Sequence, residues 1–309
     1  MYALSYCYWS KMETYIEEIA KETYRLETHI PGLNPIFSVY FIRDKISVLI
    51  EPGPAAIIPA IQKAVKELDL NNMEYIIPTH IHLDHAGAMG SLLQLFPQTK
   101  AVVNPQAVEH VVDPARLIKS TKMAFGDDFD TIYGKIIPVP QSRLKIVQDN
   151  DRIDLGNREL VFIHTPGHAP HHIAIFDKKT KGLFCGEALG LIYSPGAPPL
   201  PAVAPPSFDP DIYLNNMMHL KELRPEFLFY SHGGVGKEPE KLISNVKENT
   251  RIIGDAVLRF SKQDETDEVV IQHTGDFIYT RFGFRLDKYE LGSNVRAYLH
   301  YFKKKGIGR

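Results

Sequence analysis

The chain has 309 residues, of which 44% are hydrophobic, 23% charged and 10% aromatic, a balance that fits a folded globular protein and excludes collagen-like, disordered and low-complexity chains. Lysine and arginine number 35 against 37 acids, a formal net charge of −2, so there is no basic surplus to hold a nucleic-acid backbone. Two cysteines, Cys7 and Cys185, exclude a disulfide framework, and no apolar run reaches the ~20 residues needed to span a bilayer.

The segment Met1 to Lys11 is apolar and aromatic but lacks a basic start and a small-residue cleavage site, so it is not read as a signal peptide and a cytoplasmic location is expected. Two β-rich runs follow, Phe37 to Ile42 and Ile46 to Glu51, joined by a charged Arg43-Asp44-Lys45 turn and stopped by Pro52-Gly53-Pro54. Ala56, Ile57, Ala60, Ile61, Ala64, Val65 and Leu68 recur at three- and four-residue spacing and predict a helix to about Leu70. Met73 to Pro78 reads as a strand, Thr79 to His85 as a loop, Ala86 to Phe96 as a helix ended by Pro97, and Lys100 to Val103 as a further strand. Alternating strands and helices predict a layered α/β fold with helices outside the sheet.

Ile118 to Tyr133 mixes large apolar residues with charges and reads as a helical insertion or lid. Short strands are expected at Leu144 to Val147, Glu159 to Ile163, Ile173 to Phe176 and Leu183 to Cys185, then a proline-rich loop from Ser194 to Pro210. A helix, Asp211 to Leu223, and a strand, Phe227 to Tyr230, lead to Ser231-His232-Gly233-Gly234. Beyond a soft boundary near Lys237 the chain turns to charged helices, one long helix around Ile243 to Leu258 and a short one at Val295 to Phe302. The expected organisation is a main unit over 1–237 and a C-terminal helical extension over 238–309. The extension could cover a pocket or form a homodimer interface.

The 13 histidines lean toward chemistry, because imidazole is the commonest metal ligand. Four potential ligands fall within six residues in Thr79-His80-Ile81-His82-Leu83-Asp84-His85. His80 and His82 project to one side of an extended segment, and Asp84 and His85 emerge where the chain turns into the helix.

This run resembles the metallo-β-lactamase superfamily, whose H-x-H-x-D-H motif is met by His80, His82, Asp84 and His85. The family's next two landmarks are matched by Thr165-Pro166-Gly167-His168 and by His232 after a terminal strand. The resemblance spans about Ile36 to Lys237 and implies a four-layer αββα sandwich. It implies that His80, His82 and His168 hold one divalent metal, and Asp84, His85 and His232 a second, with zinc first and iron or manganese as alternatives. Where the family has a bridging aspartate, this chain has Glu187, after Leu183-Phe184-Cys185-Gly186. Glu187 could bridge two metals, bind one, or act as a general base at a mononuclear site.

The resemblance implies a metal-dependent hydrolase that cleaves a thioester or lactone, with Asp84 and Glu187 as the catalytic carboxylates. The alternative is a non-haem iron oxidoreductase, of the persulfide dioxygenase or diiron oxygen-binding kind, on the same scaffold. A nuclease is disfavoured by the neutral charge, and a non-catalytic binding module by the intact ligand positions. Tyr193 and His171 are candidate substrate contacts, with His171 and His172 expected on opposite faces of a strand so that one of them could reach the metal site or substrate. His164 is a core residue or an outer partner of the site, and Cys185 a buried, inert thiol. A small-molecule substrate is expected, with neither nucleic acid nor membrane as a partner.

Overall fold

The computed structural model describes residues 15–29, 35–263 and 266–307. Cys7 and the aromatic segment Met1 to Lys11 lie outside these residues. Strands β1 (Tyr15–Ala20), β2 (Thr23–Thr28), β3 (Phe37–Ile42), β4 (Ser47–Ile50), β5 (Met73–Ile77), β6 (Lys100–Val103) and β7 (Leu144–Ile146) form one sheet in that order. Its first four strands are an antiparallel meander and β4 to β7 run parallel. The second sheet has the order β13-β12-β11-β10-β9-β8, from β8 (Arg152–Asp154), β9 (Glu159–His164), β10 (Ile173–Asp177), β11 (Gly182–Gly186), β12 (Phe227–Tyr230) and β13 (Val235–Gly236). There only β11 and β12 are parallel neighbours.

The helices are α1 (Ile58–Glu67), α2 (Leu83–Ala86), α3 (Met89–Leu95), α4 (Val108–Val112), α5 (Ala115–Phe125), α6 (Phe129–Tyr133), α7 (Pro210–Glu222), α8 (Pro239–Ser261), α9 (Asp267–Phe282) and α10 (Lys288–Lys305). None among the described residues is long and apolar enough to cross a membrane.

Central strands buried on both faces explain the layering. In β3, Phe37, Val39 and Phe41 pack against α1 and α3, whereas Tyr40 and Ile42 face the other sheet. In β11, Phe184 faces the first sheet while Leu183 and Cys185 face the outer helices. Tyr40, Ile50, Phe162, Phe184 and Phe229 fill the space between the sheets, and each such side chain contributes about 1.5–3 kcal/mol by leaving water. The result is the expected αββα sandwich. On its outer face, Ile243, Val257, Val295 and Tyr298 of α8 and α10 share one buried cluster with Leu183 and Leu228.

Arg158 closes the end of the sandwich away from β4's C-terminus. Its guanidinium donates to Asp177 Oδ2 at 2.8 Å, Thr23 Oγ1 at 3.0 Å and the Lys21 carbonyl at 2.7 Å, and lies 3.3 Å from Asp44. The buried guanidinium is therefore satisfied by both sheets and by the turns between strands.

Several elements differ from the sequence reading. The hairpin β1–β2 precedes the first expected strand, and β8, β13, α4 and α9 are additional. The helix expected from Ala86 to Phe96 is two, because the chain turns at Gly87 and Ala88 and its first turn already carries Asp84 and His85. The last helix starts at Lys288 rather than Val295, capped by the Asp287 carboxylate. Ile118 to Tyr133 is helical as anticipated, within α5 and α6, and α5 buries none of its side chains.

Candidate metal centre

All seven candidate ligands lie at one end of the sandwich, beyond the C-terminal ends of strands. His80, His82, Asp84 and His85 follow β5, His168 follows β9, Glu187 follows β11 and His232 follows β12. Gly186, at φ +53°, lets the chain turn there, and a Cβ on it would lie 2.5 Å from Thr79 Oγ1 and 2.6 Å from His172 Nε2. Only glycine allows that approach without strain.

The side chains converge in two groups, His80, His82, His168 with Glu187, and Asp84, His85 with His232. In the first, His82 Nδ1 lies 2.9 Å from His80 Nε2 and 3.1 Å from His168 Nε2. Glu187 Oε2 is 2.7 Å from His168 Nε2 and 3.3 Å from His80 Nε2. In the second, Asp84 Oδ2 is 3.3 Å from His85 Nε2 and 3.4 Å from His232 Nε2. Glu187 stands between the groups, with Oε2 3.9 Å from His85 Nε2 and Oε1 3.9 Å from His232 Nε2. Four ligands at the 2.0–2.1 Å bond length of zinc would stand roughly 3.3 Å apart, so the spacing fits a cation.

The outer nitrogens fix the tautomers. His85 Nδ1 is bound to the Glu51 carboxylate, His168 Nδ1 donates to the Ala202 carbonyl at 3.1 Å, and His232 Nδ1 to the Pro35 carbonyl at 3.2 Å. Each ring then aims its Nε2 inward. His85 Nε2 is buried and makes no well-aligned hydrogen bond within the protein, facing Asp84 Oδ2 at 3.3 Å, a placement that suits a cation held between the two. Burial, reinforced by His85, holds His80 well below the usual histidine range, and burial with His168 lowers His82 to about 4. Burial works against charge on Asp84 and Glu187, yet the surrounding imidazoles outweigh it and keep both carboxyls below their usual range. Burial works against charge on His85 too, but Glu51 and Asp84 outweigh it and hold that ring well above the usual histidine range, so a cation taking its Nε2 would displace a proton. His80 and His82 are neutral and Asp84 and Glu187 ionised, the states that ligate metal.

The remaining candidates fall outside the two groups. His171 is partly stacked 6.3 Å from the His80 ring, with a buried Nδ1 that has no hydrogen bond, and it does not line the cavity described below. His164 Nε2 lies 2.8 Å from the Pro170 carbonyl oxygen, away from the ligands. Tyr193 lines the cavity and stacks on Phe284, ring centres 5.3 Å apart. Cys185 is buried and its thiol contacts the Phe229 carbonyl, with burial pushing its pKa well up.

Two outer partners are not apparent from the motif. Glu51 accepts the Thr79 N–H at 2.9 Å and binds His85, so it orients both ends of the first ligand loop. His172 accepts the Glu187 N–H at 3.1 Å. A glutamate ending a strand just before Pro-Gly-Pro was the available signal for Glu51. His172 sits only four residues past His168.

An open cavity of about 680 Å³ begins at His82, Asp84, His168, Glu187 and His232. Leu117, Phe125 and Tyr133 of α5 and α6 form one wall, Leu191, Tyr193 and Val203 of the proline-rich loop another, and Asp287, Tyr289 and Glu290 a third.

The sequence pattern of the metallo-beta-lactamase superfamily matches residues 32–232, which hold every one of these ligands. The chain belongs to that superfamily. A metallo-beta-lactamase fold-containing protein of Sulfurisphaera tokodaii is 26% identical over 196 residues, 62% of this chain and 70% of its own length. The structure of a metallo-beta-lactamase family protein from Thermus thermophilus superposes with a TM-score of 0.71 at 19% identity, over 94% of this chain and 95% of that one. The fold likeness thus continues into the C-terminal helices. Two more distant relatives are an acyl-coenzyme A thioesterase of Homo sapiens, 28% identical over 130 residues, and an anaerobic nitric oxide reductase flavorubredoxin of Pectobacterium carotovorum, 28% identical over 160 residues. These alignments take in 37% and 51% of this chain, and only 40% and 27% of the relatives' own lengths.

Proposed function

We propose that the chain is a metal-dependent hydrolase that cleaves a small ester-like compound, a thioester or a lactone. The observation that carries this reading is the cavity, whose 680 Å³ opens onto five of the seven ligands and falls in the range of organic-substrate pockets. His80, His82, His168 and Glu187 would hold one divalent cation, and Asp84, His85 and His232 a second, with Glu187 placed to reach both. Nitrogen and oxygen donors of this kind suit zinc first. When bound, the cations would supply an activated water and polarise the carbonyl to be attacked.

The chain's own residues would do the rest. Asp84, partly exposed at the cavity floor, would take the proton that the attacking water gives up and pass it to the leaving thiolate or alkoxide as the carbon–sulfur or carbon–oxygen bond breaks. Tyr193 would donate from its phenol to the substrate, and burial keeps that phenol protonated by raising its pKa. The walls from α5, α6 and the proline-rich loop would limit water around the acyl group. The human thioesterase relative is consistent with this chemistry.

Elemental analysis of protein purified without added metal, followed by thioester and lactone panels, tests the proposal. Two zincs per chain and turnover of either class are expected, and Glu187→Gln should lower the metal content and cut turnover about 100-fold or more. Failure of the loaded protein to hydrolyse any of the panel would overturn it.

The second reading, a non-haem iron oxidoreductase, is favoured by one observation. Glu187 with His80 and His168 is a two-histidine, one-carboxylate set of the type that binds ferrous iron, and a flavorubredoxin is among the relatives. Iron in the purified protein together with oxygen uptake on adding a persulfide would establish it in place of hydrolysis.

A further inference from the structure

We infer that the substrate carries no negative charge on the part remote from its carbonyl, and that Asp287 and Glu290 at the start of α10 select an amine-bearing end there. This rests on the hydrolase reading and adds to it the charge class of the substrate.

Five carboxylates line the cavity, Asp84, Asp128, Glu187, Asp287 and Glu290, and among the described residues no lysine or arginine does. Asp84 and Glu187 belong to the ligand groups, where divalent cations would offset them. Asp128, Asp287 and Glu290 do not, and none of the three has an ion-pair partner among the described residues. A cleft lined by one sign of charge attracts the opposite sign and repels its own.

A helix start ordinarily favours an anion through its free N–H groups. Here α10 has already used them, because Asp287 Oδ1 accepts the N–H groups of Tyr289 and Glu290, both at 2.8 Å. The place a phosphate or carboxylate would take is filled by the protein's own carboxylate, and Glu290 adds another in the same turn.

Beside this acidic wall the lining is aromatic. Phe125 lies 4.7 Å from Tyr289 and 5.2 Å from Tyr133, ring centre to ring centre. Aromatic faces beside carboxylates are the chemistry that binds an ammonium group. Burial and the neighbouring Asp287 push Glu290 up to about 9, so at neutral pH the pair carries its negative charge on Asp287, and an ammonium seated against the two would favour release of the Glu290 proton to solvent.

The test uses thioesters that share one leaving group and one acyl chain, ended by an ammonium, a methyl or a carboxylate group. The expected order of kcat/KM is ammonium, then methyl, then carboxylate, about tenfold or more between the extremes. Glu290→Lys should reverse the order, and Glu290→Gln should reduce the ammonium preference alone. Calorimetry with the non-hydrolysable alkylamine and alkylcarboxylate on the metal-loaded protein, beside its Glu290→Gln variant, removes direct carboxylate–metal binding from the comparison because that binding is common to both. Equal handling of the charged ends in both assays, with no change in Glu290→Lys, would overturn the inference. Preferential amine binding to a protein that hydrolyses none of the series would support the inference while refuting the hydrolase reading.

Discussion

The imidazole of His172 accepts the backbone N–H of Glu187 at 3.1 Å while its other nitrogen, Nδ1, donates to Thr165 Oγ1 at 2.7 Å. Burial holds this ring well below the usual histidine range, so it stays neutral with its acceptor nitrogen toward Glu187. His172→Ala would free the turn that presents Glu187 and leave its N–H unmet. Metal affinity is expected to fall about 10–100-fold, with His172→Gln recovering part of it. Affinity by chelator competition is the measurement, and an unchanged value in His172→Ala would refute the positioning role.

Glu51 holds His85 from behind and is itself buried. Glu51→Gln keeps its size but weakens the acceptor that fixes the His85 tautomer. About 10–100-fold weaker metal binding is expected. Titration with zinc, read by competition with a chromophoric chelator, would show it; equal affinities would mean that the carboxylate serves only the Thr79 backbone.

At the opposite end of the sandwich, Asp177→Ala would leave the Arg158 guanidinium buried beside a gap. Removing one partner of a buried pair costs about 3–5 kcal/mol, so the denaturant midpoint should fall clearly while metal affinity stays the same. A shift under about 1 kcal/mol would mean that Asp44, Thr23 and the Lys21 carbonyl satisfy the arginine without Asp177.

Glu290 gives a stability signature on zinc-free protein. Its folded pKa is raised from 4.5 to about 9 by burial, by Asp287 in its own turn and by Glu187 across the cavity. Between those values the folded chain keeps a proton that the unfolded chain has released, so its contribution is present below about pH 4.5 and is lost as pH rises through 9. Glu290→Gln is neutral in both states and removes this dependence. Melting scans should therefore show the variant gaining on the parent from about pH 5 to 9, and a constant gap across that window would contradict the raised carboxyl.

The ligand loops were readable because their chemistry is concentrated locally: four donors in six residues after β5, and a Thr-Pro-Gly-His turn after β9. The central strands were readable because burial on both faces makes them continuously apolar, as in Phe37 to Ile42. Strand β1 was not, since Tyr15–Ala20 is an edge strand with two adjacent glutamates and no fully buried residue. Helix α9 mixes Val269, Val270 and Ile271 with aromatics and shows little apolar periodicity. The first turns of α10 were missed because Tyr289 and Glu290 face the cavity, so the apolar spacing begins only near Val295. Glu51 acts through contacts 28 and 34 residues away in sequence, and no local pattern encodes such a meeting.

Helix α10 joins two jobs in one rod. Val295, Tyr298 and Phe302 seat it in the core while Glu290 and Asn294 face the cavity. Substitutions at Tyr289, Glu290 or Asn294 would therefore reshape one wall of the cavity while leaving the seven ligands and the seating of the helix untouched.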